Sequence, residues 1–184
     1  MNNTSHSKDT RFLVVTLLIL IGALSRLMPH PDNFTPIAAM ALFGGTYLQN
    51  KKFSFIIPML SLLLSDVILE LTGKVGFHDQ MIWVYGTMLL ITFIGFYLRG
   101  RENKQHIVVA SLVGSVIFFV LTNFGTWATG YYGYSFEGLT NCYVAAIPFF
   151  RGTLLGDLSF NAIFFGGFAA VQWFSPAFSG RRVK

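Results

Sequence analysis

The chain has 184 residues, 53% of them hydrophobic and 11% charged, with a mean hydropathy of +0.58. Soluble domains carry roughly 25% charged residues, so an integral membrane protein is expected. About six spans of roughly 20 residues would use nearly the whole length, which excludes a sizeable soluble domain. The net charge of +5 comes from cations that flank hydrophobic segments, so they read as orientation signals and no nucleic-acid partner is expected. A single cysteine, Cys142, excludes an internal disulfide.

Met1 to Thr10 is short and polar. The first apolar run, Phe12 to Ser25, lies behind Lys8 and Arg11 and meets Arg26, within a first helix expected over 11–28. Its basic start and the small residues Ala23 and Ser25 also fit a signal peptide, but a retained helix is expected. The stretch from Arg26 to Gly45, R-L-M-P-H-P-D-N-F-T-P-I-A-A-M-A-L-F-G-G, organises the rest. Pro29, Pro31 and Pro36 forbid a continuous helix. Asn33 or Thr35 can cap a new one with Pro36 in its first turn. That second segment, 36–49, is short for a span and is closed by Lys51 and Lys52. The third, 53–72, carries Pro58, Asp66 and Glu70, and the fourth, 79–98, stops at Arg99-Gly100-Arg101. The fifth, 106–124, runs into N-F-G-T-W and an aromatic, glycine-rich loop to Asn141. The last apolar stretch exceeds one span; Pro148 is expected to break it, leaving a sixth helix over 148–174. The fold class is therefore an all-α membrane bundle of six transmembrane helices in one domain, 1–184.

Six spans put both termini on one side. Lys8, Arg11, Lys51, Lys52, Arg99, Arg101, Lys104, Arg181, Arg182 and Lys184 share that side, ten of the 13 Lys and Arg. The termini are expected to be cytoplasmic, in the inner membrane.

With this topology the polar residues collect toward the outside. Charges at depth are costly unless paired or hydrated. Asp66 and Glu70 share a helix face, as do Asp157 and Asn161, and Arg26 is the expected partner of Asp66. Asp66, Asn123, Trp127, Arg151, Asp157 and Asn161 are the candidate substrate-binding residues of an outward-open pocket among the first, third, fifth and sixth helices. The aromatic loop would roof it, offering flat apolar faces with polar handles to a ring-bearing molecule. The same charges can also serve only to lock helices together. Ala38, Ala41 and Gly45 form a small-residue face on the second segment, suited to packing within the chain or to docking a partner subunit. No metal-ligand spacing, no nucleophile–base motif and no phosphate-binding loop is present, so no metal, no cofactor and no catalytic activity is expected.

N-F-T-P-I-A-A-M-A-L-F-G-G (33–45), followed by a proline-bearing helix ending in S-D (65–66), resembles the substrate-binding S components of energy-coupling-factor (ECF) vitamin transporters. More narrowly, P-H-P-x-N-F-T-P, T-N-F-G-x-W (122–127) and A-I-P-F-F-x-x-T-L-x-G-D-L (146–158) look like a family of small uncharacterised bacterial membrane proteins related to that group. The resemblance implies an S-component-like bundle that binds a vitamin or similar solute from outside. It also implies docking on a transmembrane coupling subunit driven by two ATPases. The docking pattern of such proteins usually lies on the first helix; here it lies on the second, which keeps a solitary transporter in view. The alternatives are a structural or assembly factor without a ligand and, further off, an enzyme at the membrane surface.

Overall fold

The computed structural model describes residues 3–174, with side chains described from residue 9 onward. Lys8, Arg181, Arg182 and Lys184, which the sequence assigns to one side, have side chains outside that range. Six helices follow one another: α1 Asn3–Ser25, α2 Ile37–Tyr47, α3 Lys51–Leu71, α4 Met81–Leu98, α5 Lys104–Ala128 and α6 Phe136–Phe174. Among the described residues there is no strand.

Four of these, α3 to α6, are long and apolar enough to cross a membrane, as an all-α membrane protein requires. Among the described residues the expected six spans are corrected to four helices that meet the length and apolarity of a span. α1 opens on the polar run N-T-S-H-S-K-D-T-R. α2 has only 11 residues, about 16 Å of rise against a hydrocarbon core of about 30 Å. α6 is also corrected: it is one continuous helix of 39 residues with Pro148 inside it, not two pieces.

α2 is the hub. A helix that is apolar all round is buried, and Ile37 to Thr46 are all buried. α2 touches each of the other five helices, whereas α3 touches neither α5 nor α6, and α4 does not touch α6. Its small residues make that possible. A Cβ on Gly45 would lie 2.3 Å from the Thr92 carbonyl oxygen, and one on Gly95 would lie 2.5 Å from the Leu42 carbonyl oxygen. Two backbones thus cross at these glycines. Phe43 fills the opposite side, its ring 5.4 Å from Phe164 and 5.2 Å from Phe165. Ala38 and Ala41 are 5% and 0% exposed. The small-residue face is therefore spent inside the chain, with α4 against Gly45, and these residues present no surface to a partner in this structure.

The link before α2 is as constrained as the helix. A Cβ on Gly152 would meet the Asp32 carbonyl oxygen at 2.0 Å, and one on Gly156 would meet Phe34 Cα at 3.1 Å. Residues 32–35 therefore run along a glycine groove of α6 and deliver the start of α2 to the middle of that helix. Asp32 and Asn33 stay exposed, Phe34 and Thr35 are half-buried, and the chain is buried only from Pro36 onward. Asn33 takes a left-handed φ of 56° within the link.

Candidate functional site

The first turn of a helix leaves backbone N–H groups unpaired. Pro36 occupies the N-cap position of α2 and no local side chain caps it, so neither Asn33 nor Thr35 plays the expected role. An acid from α6 stands there instead. Asp157 is 2% exposed, its Oδ2 accepts a 2.6 Å hydrogen bond from the Ser115 hydroxyl, and the Ala39 backbone N–H bonds to the same carboxylate. One turn along, Asn161 Nδ2 donates to Ser111 Oγ at 2.9 Å. Asn161 is also 2% exposed, and its Oδ1 has no hydrogen-bond partner.

The other end of α2 is neutralised in kind. Arg99 Nε donates to the Gly45 carbonyl at 2.9 Å, and Arg99 Nη2 to the Leu48 carbonyl at 2.7 Å and to Ser54 Oγ at 3.1 Å. An acid at the N-terminus and a cation at the C-terminus both oppose the helix dipole. Two long-range residues thus hold a short helix at its ends.

Below Asn161 the interior opens. A groove of about 510 Å³ is lined by Ser111 and Asn161 at its polar wall, by apolar residues including Ile107, Leu158 and Phe165, and by Tyr47, Glu102 and Lys104. It lies at the end of the bundle that carries Lys51, Arg99 and Lys104. The expected pocket was to open at the opposite end, beneath the aromatic loop.

The six expected site residues do not converge. Asp66 is 3% exposed and bonds to Arg26 Nη1 at 2.5 Å and to the Tyr85 hydroxyl at 2.9 Å. Its pairing with Arg26 is the one the sequence suggested, and it ties the end of α1 to α3 and α4. Since α3 touches neither α5 nor α6, Asp66 is separated from Asp157 by α2. Asn123 donates its Nδ2 to Phe119 O within its own helix at 2.8 Å. Trp127 packs against Phe124 and Tyr134, at 5.4 and 6.3 Å between ring centroids, with its Nε1 unpartnered. Arg151 is exposed on α6 and joins no cluster, because it lies six residues from Asp157 and so on another face. Only Asp157 and Asn161 share a site. Glu70 is engaged locally, Oε2 accepting from the Gly76 and Phe77 N–H groups at 3.1 and 3.2 Å.

This arrangement is that of a membrane helix bundle with a buried polar column leading to a groove. Residues 6–178 match a family model described as a family of unknown function. The chain belongs to that family, DUF6580. No curated protein and no solved structure matches it. In this DUF6580 chain, two contributors to the column, and the group that serves the far end of α2, escape the reading made from the sequence. Ser111 and Ser115 sit four apart with Ala110 and Gly114 on an otherwise branched helix, a small polar face that signals contact with another helix. Arg99 looks like a stop signal after α4, yet it caps α2. Among the described residues no group of three or more His, Cys, Asp or Glu could hold a metal.

Proposed function

We propose that this chain is a membrane-embedded binding and uptake protein for a small molecule, of the S-component kind or working alone. The observation that carries this reading is the groove of about 510 Å³ that reaches Asn161, next to an acid with no cationic partner. Drug-sized ligands occupy clefts of about 300–1,000 Å³ that are mostly apolar with few placed polar groups. Polar groups inside a membrane protein are costly, and they mark solute paths. If the lysine- and arginine-rich end is cytoplasmic, the groove faces inward, as a solute-releasing state would. A coupling subunit with two ATPases would then supply the energy, since the chain has no nucleotide motif of its own.

One observation favours a second reading, a structural or assembly role without a ligand: Asp157 and Arg99 each already serve an end of α2. The two readings part on whether a solute is present. Mass spectrometry of an organic extract of the purified protein should find a small molecule in near-equal amount, and its recovery should fall in Asp157→Asn. A folded, ligand-free protein whose removal from cells leaves solute uptake unchanged would favour the structural role.

A further inference from the structure

Beyond the uptake reading above, we propose that Asp157 is a proton-binding site that gates the inner end of the groove. With the proton on, the buried column is packed; with the proton off, the column opens to water. What the opening admits rests on the uptake reading, whereas the proton site does not depend on it.

The other buried acid shows how this chain holds a charge. Asp66 is matched by the Arg26 guanidinium and the Tyr85 hydroxyl. Asp157, at 2% exposure, has the Ser115 hydroxyl and the Ala39 N–H and no charged partner. Among the described residues no charge faces it from the elements around it. α2 carries only Tyr47, at its far end, and α5 carries Lys104 and His106, both exposed at its start. The link before α2 carries Asp32, exposed, and Arg151 of α6 is exposed on another face. A carboxylate ion enclosed by apolar helices without a cation is costly, and a proton removes the charge.

The hydrogens around Ser115 agree. Its hydroxyl has one proton and two oxygens within reach, Asp157 Oδ2 at 2.6 Å and the Ser111 carbonyl at 3.0 Å. An ionised Asp157 takes that proton and leaves the Ser111 contact unused. A protonated Asp157 donates to Ser115 Oγ, and Ser115 donates to the Ser111 carbonyl, so both contacts carry a hydrogen with no heavy atom moved. The Ala39 N–H is accepted by either form. A 2.6 Å contact between oxygens is that of a shared proton and leaves no room for a metal ion between them. Access is short. Asn161, one turn from Asp157, and Ser111, one turn from Ser115, line the polar wall of the groove. About 6 Å of helical rise separates that wall from the acid, so water has one turn to pass, and a bare carboxylate draws it in.

Infrared spectroscopy of the full chain in nanodiscs reads the proton. At mildly acidic pH the carbonyl stretch of a protonated carboxyl group should be present in the native chain, absent in Asp157→Asn and retained in Glu137→Gln, which changes an exposed acid. Raising the pH should abolish the band. Hydrogen exchange at Ala39 and Ser115, corrected for the intrinsic effect of pH, should then rise roughly tenfold, the scale of one buried hydrogen bond. Asp157→Asn, which has no proton to lose, should show no such rise. Isotopic labelling of the aspartate carboxyl groups in the native chain shifts the same band, so the assignment stays testable if the variant does not fold. A band that Asp157→Asn leaves in place would overturn the site. So would a band missing at every pH at which the chain is folded, one that no such pH removes, or one that sodium abolishes at fixed pH. A band that titrates with no change in exchange would overturn the gate. A titrating band in a protein from which no solute copurifies would leave the proton site standing and the uptake reading fallen.

Discussion

Asp66 and Asp157 are both buried carboxylates in apolar helices, 3% and 2% exposed, yet their surroundings differ in kind. Asp66 has a guanidinium on one oxygen and a phenol on the other. Asp157 has a serine hydroxyl and a backbone N–H, with no cation among the described residues. The first is a clasp that closes α1 onto α3 and α4, complete within the chain. The second is held by neutral donors only and stands beside an amide oxygen with no partner. Burial depth alone therefore does not say whether a charge is satisfied within the chain; what says so is whether its partners suffice.

The contrast can be broken by substitution. Asp66→Ala should cost about 3–5 kcal/mol, because it leaves a largely buried Arg26 unpaired. Thermal unfolding in detergent reads the loss, and the double change Arg26→Met with Asp66→Leu should recover most of it. Arg99→Met should cost about 2–3 kcal/mol by freeing acceptors of a charged donor, and hydrogen exchange should localise the effect to the last turn of α2. Asp157→Asn keeps an acceptor for Ser115 and should cost only about 1 kcal/mol; a loss as large as that of Asp66→Ala would make Asp157 a clasp as well. Asn161→Leu should cost about 1 kcal/mol, since it gives up the Nδ2 bond to Ser111 but also removes an oxygen that is already unpaired, while solute recovery should drop.

The membrane class, the positions of α2 to α5 and the Arg26–Asp66 pair were legible in the sequence, because hydropathy and charges at helix ends are local signals; the start of α6 was not, because Pro148 does not break that helix. The site was legible only in part. Helical rise placed Asp157 and Asn161 at depth, but depth carries no information about which way a residue faces. Arg151 and Asn123 were therefore grouped with them and are not there. α2 was read as a short span whose small residues either pack within the chain or dock a partner. Its small residues say that something packs closely, and only the fold says that α4 does so at Gly45 and Gly95. The capping of α2 was out of reach altogether. Pro36 leaves the first turn without a local cap, and the acid that supplies one comes from α6.

The helix at the centre has a consequence for biogenesis. With 11 residues, α2 is too short to partition into lipid unaided, and the groups that satisfy its two ends, Asp157 and Arg99, are synthesised after it. Until α4 and α6 have been made, neither Arg99 nor Asp157 can serve the ends of α2, and those backbone groups depend on other donors and acceptors. A nascent chain halted before Asp157 would carry every apolar residue of α2 and still lack the acid at its first turn.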